Sequence, residues 1–246
     1  MSDLELIILT VVLILSVVQS ILGMGLLVFG TPTLLLLGLP YSSCLAYLLP
    51  ASIAISLFQV KGDVKIEKNE VREFFIWSIL PLFISLAIVL SLDSNFKISL
   101  AVGILMLATV VIKLSSRLEF LFAINVKNNF HLYLVCMGVV HGISNLGGSV
   151  LSVISSVKYS EKKDVRRFIS FCYLWFAIIQ LIVLLFFYYD KFTYISLIVP
   201  VISSLMYIVI GKSVFNNIDS RKFNKIFILF MLIYSLLLIT KGIQIW

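Results

Sequence analysis

The chain has 246 residues, 61% of them hydrophobic and only 13% charged, with a mean hydropathy of +1.13. So few charges cannot cover a soluble domain of this size, which excludes the soluble globular classes. The net charge of +7 does not point to nucleic acid, because the basic residues gather in a few loops between apolar runs, as they do at an anionic membrane face.

The first apolar run, about 4–22, follows Asp3 and Glu5 with no basic residue, so it reads as a retained span rather than a signal peptide. It belongs to a region, 4–38, that looks like two helices joined through a glycine-bearing segment. Full-length apolar spans follow at about 43–60, 74–92 and 97–113. The stretch 116–130 is the expected cytoplasmic linker. A second helix pair, 131–145 and 146–157, is short enough to be a re-entrant hairpin. Spans at about 168–189, 192–210 and 224–241 complete the chain, each near the roughly 20 residues that cross a bilayer core.

With the loop 61–73 placed in the cytoplasm and each hairpin returning to its own side, all but three of the 19 Lys and Arg residues fall inside. The exceptions are Lys97, Lys191 and Lys241. A hairpin plus three spans is an odd number of crossings, so the second half enters the membrane inverted. The expected fold is all-α: a multi-pass bundle in the cell (plasma or inner) membrane, built from two inverted-topology repeats, 1–115 and 131–246.

The halves share a weak internal match. Residues 17–28 align without a gap on residues 139–150, an offset of 122, and agree at Val17, Val18, Ile21, Gly25 and Val28. The same offset pairs Ser42 with Asp164, both expected as helix N-caps. Broken helices at corresponding positions of two halves are where secondary transporters bind cargo. Around the first break lie Gln19, Ser20, Gly23 and Gly25, followed by Thr31 and Pro32. Ser144, Asn145, Gly147, Gly148 and Ser149 surround the second.

Restarting helices expose amides and a positive dipole end, which suit an anion without a fixed cation. In this reading amides near Gly25 and Gly147–Ser149 hold the anion, and Gln19, Ser20, Ser144 and Asn145 orient it. His141, aligned with Gln19, is the one titratable side chain at depth and the candidate proton-coupling group. The competing reading makes the glycines close packing points and His141 an interhelical hydrogen bond. Gln180 and Trp175, deep in the span 168–189, either line a pathway or make an interhelical amide bond and a packed Trp; Gln59 lies near the end of the span 43–60, and Pro50, Pro81 and Pro200 read as kinks. Trp77, Trp246, Tyr188 and Tyr189 fit interface anchors. Cys44, Cys136 and Cys172 read as buried thiols, and no metal-ligand spacing, Walker motif or dinucleotide fingerprint is present, so no cofactor, metal or enzymatic activity is expected.

The segment Gly23-Met-Gly-Leu-Leu-Val-Phe-Gly-Thr-Pro32, then Gly38-Leu-Pro40, and the second copy Gly142-Ile-Ser-Asn-Leu-Gly-Gly-Ser149 make the chain resemble the sulfite exporter TauE/SafE family over essentially its whole length. It departs from that pattern in having fewer glycines in the first copy, Ile154 in place of a proline in the second, and an unusually basic segment, Lys158 to Arg167. The resemblance implies a transporter, often an exporter, of sulfur-containing or related organic anions. The expected function is therefore a secondary transporter of a small anion by alternating access. The alternative is a non-transporting assembly factor or structural subunit of a membrane complex.

Overall fold

A computed structural model of the chain describes residues 2–61, 66–92, 98–159, 161–217 and 220–243. The described residues are mostly helical and contain no strand. The long helices are α1 (Asp3–Leu22), α2 (Gly25–Leu36), α3 (Tyr41–Val60), α4 (Lys68–Ser91), α5 (Ile98–Leu114), α6 (Ser116–Asn128), α7 (Phe130–Ser144), α8 (Gly148–Lys158), α9 (Lys162–Phe187), α10 (Tyr194–Asn217) and α11 (Ser220–Ile243). Five of them, α1, α3, α4, α9 and α10, are long and apolar enough to cross a membrane. A sixth crossing is added if α5 and α6, bent by 103° at their junction, are counted as one span. Helices α2 and α8, at 12 and 11 residues, fall short of the bilayer core.

Four of the six expected spans, 43–60, 74–92, 168–189 and 192–210, are helices of spanning length, whereas α5 has 17 residues and the apolar part of α11, Ile228–Ile243, is also shorter. Of the helices that enter the two hairpins, α1 is of spanning length and α7 has 15 residues. The expected N-caps are displaced. Pro40 is the N-cap of α3 and Glu161 that of α9, so Ser42 and Asp164 lie inside the first turns. Proline fixes φ in the region that leads a chain into a helix, and it sets the entry to α3 before Ser42 is reached. The buried hydroxyl of Ser42 has no hydrogen-bond partner among the described residues. Cys136 also departs from expectation: Cys44 and Cys172 are buried, but Cys136 is exposed on α7.

Apolar helices gain little from each other's hydrophobicity in lipid, so packing and small residues set their contacts. On α1 the buried face is Ile8, Val12, Leu15, Ser16 and Gln19, a helical stripe, while Leu6, Ile7, Leu13 and Ile14 point outward. Three close approaches define the bundle. Gly138 of α7 packs on Ser78 of α4 and Gly142 packs on Leu82 and Ser85, so those helices run parallel. Ser16 of α1 bonds Ser203 of α10 at 2.9 Å and Ser20 packs on Gly211, again parallel. Gly103 of α5 meets Leu238 and Ile239 of α11, while Gly242 meets Leu100, so those two run antiparallel.

Both parallel contacts involve a π-helical turn, Phe75–Ile79 in α4 and Tyr207–Gly211 in α10. Each turn faces the first leg of the other half's hairpin, at Ser78 and at Gly211. Such turns insert one residue per turn and concentrate at working parts of helices.

Candidate functional site

Each hairpin breaks at a residue in the left-handed region. Gly23 (φ 82) ends α1 and Asn145 (φ 62) ends α7, and these positions are 122 residues apart. The capping N–H of Gly23 donates to Gln19 O at 2.7 Å, and that of Asn145 donates to His141 O at 2.8 Å. Glycine and asparagine are the residues that tolerate this conformation, which explains why the chain turns at these two points. A side chain at Gly23 would in addition run into Ser170 Oγ at 2.7 Å.

The first break is held by carboxamides and hydroxyls. Gln19 Nε2 donates to Ser52 O, Ser52 Oγ and Ser56 Oγ at 3.0–3.2 Å, and Gln19 Oε1 accepts from Leu26 N at 3.1 Å. The first turn of α2 thus spends that amide on a side chain of its own hairpin. At the other side of the break, Gln59 Nε2 donates to the carbonyls of Gln19 and Ser20 at 2.9 and 3.0 Å, and Ser170 Oγ donates to Gln59 Oε1 at 3.0 Å. Arg166 Nη1 donates to Ser20 O at 3.0 Å. A cation beside the carbonyl end of α1 is electrostatically favourable. The break therefore does have a fixed positive charge beside it, contrary to the expectation of a site built from amides alone.

At the second break the two hairpins touch. Asn145 Nδ2 donates to Thr31 Oγ1 of α2 at 2.8 Å, and Gln180 Nε2 donates to Asn145 Oδ1 at 2.9 Å. The Tyr173 hydroxyl reaches Asn145 O at 3.4 Å and receives the amide of Gly148. A Cβ at Gly148 would collide with Met24 Sδ and with Tyr173, so the residues just after the two breaks touch. Tyr41 at the start of α3 donates to Gly142 O at 3.4 Å.

His141 is fully buried one turn before the second break. Its ring stacks on Phe176 (centroids 4.4 Å apart) and meets the edge of Tyr173 at 4.9 Å. The imidazole faces the Gln180 carboxamide, but neither its nitrogens nor Gln180 Oε1 reaches hydrogen-bond geometry.

The expected residues therefore fall into two groups. Thr31, Asn145 and Gly148 meet across the halves, with His141 beside them. Gln19, Ser20 and Gly25 are engaged within the first hairpin or with α3, α9 and α10, and Ser144 donates locally to Val140 O at 2.6 Å. Pro32 is buried in α2 beside Thr31, and Gly147 packs on His141. The backbone of Ser149 lies in α8, and its side chain is outside the described part, as are Lys97 and Trp246 entirely. Sequence reasoning missed Ser52, Ser56, Arg166, Ser170 and Tyr173. The signal that pointed closest to them was the pair Gln59 and Gln180, each of which bonds one break. Trp175 packs against Phe75 at 4.9 Å instead.

A polar latch lies at the end of the bundle where α4 begins. Lys158 Nζ and Glu70 Oε1 are 2.6 Å apart, and Tyr159 Oη donates to Glu70 Oε2 at 2.6 Å. Burial, then the bond to Glu70, pushes the Tyr159 hydroxyl well above its ordinary range. Nearby, the Arg166 guanidinium lies 3.4 Å from the ring centre of Phe215, and Lys162 Nζ donates to Phe215 O at 2.8 Å. Among the described residues no group of three or more His, Cys, Asp or Glu side chains is placed to hold a metal ion.

A family model described as Sulfite exporter TauE/SafE matches residues 8–238 of this chain. No curated protein and no solved structure matches it.

Proposed function

The chain belongs to the sulfite exporter TauE/SafE family, and on that premise we propose that it is a secondary carrier exporting small, sulfur-containing anions across the cell membrane by alternating access. The observation that carries this reading is the contact of two hairpins that each turn at a left-handed residue, through Asn145 with Thr31 and Met24 with Gly148. Two halves with inverted topology, 1–115 and 131–246 joined by 116–130, account for that meeting. In support, α1 and α7 end 122 residues apart, as do α2 and α8, and the corresponding helices α5 and α11 run antiparallel. The end bearing Glu70 and Lys158 faces the cytoplasm in this assignment, following the basic loops.

The anion binds between the breaks. Asn145, Gln180, Thr31 and Tyr173 supply neutral hydrogen-bonding groups, and the amides near Gly25 and Gly147–Ser149 become available as the hairpins part. Ser20, Ser144 and Gln19 shape the same crevice, Gly23 supplies the turn of the first hairpin, and Pro32 stands in α2 beside Thr31. All of the described break residues are buried, so access requires one hairpin to move, and the π turns against α1 and α7 are the points where it slides. His141 takes up the coupling proton as Gln180 turns toward it. No acidic group at the breaks competes with an anion, which disfavours a cation as cargo.

The test is flux of labelled sulfite, thiosulfate and alkyl sulfonates in proteoliposomes. Saturable movement of at least one, driven by a proton or counter-anion gradient, is the expected result. If none moves under any gradient, a structural role in a membrane complex replaces this reading.

A further inference from the structure

The chain 116–128 joins the halves but does more than span a gap. Helix α6 leaves α5 at 103°, so in the arrangement proposed above, where the 17 residues of α5 cross the bilayer, α6 lies along the membrane face. Its inner face, Phe122, Ala123 and Val126, packs on the bundle, while Leu118, Phe120, Leu121 and Ile124 are exposed. Low net hydropathy with an apolar outer face is the pattern of a helix seated in the headgroup boundary. Beneath α6 is an apolar cavity of about 150 Å³ lined by Leu105, Ile112, Phe122, Val140, Val150 and Val153. A cavity of this size and lining takes a small hydrocarbon group rather than water. Lys113, paired with Glu119 at 2.7 Å, stands at its wall, and α6 carries exposed Arg117 and Lys127.

We infer that this cavity holds part of an acyl chain of an anionic phospholipid from the cytoplasmic leaflet, with α6 as its interfacial cover. The leaflet follows from the orientation proposed above. The bilayer is the occupant because the cavity is apolar, α6 lies in the plane where chains begin, and the basic residues of α6 suit an anionic headgroup. Val140 belongs to α7, and Val150 and Val153 to α8. A chain seated there braces both legs of the second hairpin, so the lipid bears directly on the element that has to move.

Native mass spectrometry of the delipidated full chain, titrated with palmitoyl-oleoyl phosphatidylglycerol, tests this. The wild type retains one lipid at activation that strips the rest. Val153→Phe, which fills the cavity, lowers that retention about ten-fold, as loss of a few buried methylenes requires. Leu105→Phe fills it from the α5 wall and keeps the test readable if Val153→Phe fails to fold. Leu185→Phe, on an exposed site of α9, leaves retention unchanged. No lipid retained by the wild type, equal retention by the filled variants, or retention of oleate in place of the phospholipid overturns the inference. The readout does not involve transport, so its failure leaves the carrier reading standing, and the reverse holds.

Discussion

At the residue scale the structure turns on Asn145, which does two separable jobs. Its backbone occupies the left-handed region, and its side chain joins Thr31 to Gln180. Asn145→Gly keeps the backbone comfortable and loses the side-chain bonds, at about 1–3 kcal/mol for the buried partners left behind. Asn145→Ala adds the left-handed penalty of about 1–2 kcal/mol. Thermal unfolding in detergent is expected to rank Asn above Gly above Ala; Ala equal to Gly would show that the backbone strain is absent. His141 makes a different prediction. If it carries the coupling proton, His141→Gln abolishes accumulation driven by a pH gradient and leaves anion exchange measurable. Loss of both in a folded protein would make it a binding or packing residue. The turn at Gly23 was legible because glycine there interrupts an apolar run. The bond from Arg166 to Ser20 was not, since no local pattern announces a contact between residues 146 positions apart.

At the scale of elements, hydropathy located most of the spans because each must satisfy its own backbone in lipid, which leaves long apolar runs as the visible trace. It could not show the π turns in α4 and α10, which depend on packing against α7 and α1. Nor could it show that α6 turns across the end of α5. The N-caps assigned to Ser42 and Asp164 failed because Pro40 and Glu161 set those helix entries first. The latch between α4 and the end of α8 gives a prediction at this scale. Because the folded-state pKa of Tyr159 is raised, its hydrogen bond to Glu70 is fully present below the ordinary tyrosine range and is lost only as pH rises through the raised value. Tyr159→Phe should therefore cost about 1 kcal/mol, the same throughout roughly pH 6 to 9. A cost that disappears within that window would contradict the protonated donor.

For the whole molecule, membership of the family over residues 8–238 goes with a geometry in which the two hairpins touch through Asn145 with Thr31 and Gly148 with Met24. Composition and charge made the membrane class legible, and the faint match at an offset of 122 marked both breaks. The partners that hold them come from α3 and α9, whose polar residues are scattered singly through apolar sequence. That scatter hid most of the site. The central claim is that a small anion passes between Thr31 and Asn145, and labelled-sulfite flux through proteoliposomes of the wild type and Thr31→Val tests it most directly. Valine keeps the shape of threonine and removes the acceptor of the Asn145 bond, so the protein is expected to fold with stability lower by about 1–3 kcal/mol. Saturable flux in the wild type, reduced about ten-fold or more in the folded variant by loss of one hydrogen bond to charge, is the predicted result. Flux equal in the two proteins, or none in the wild type under any ion gradient, would contradict it.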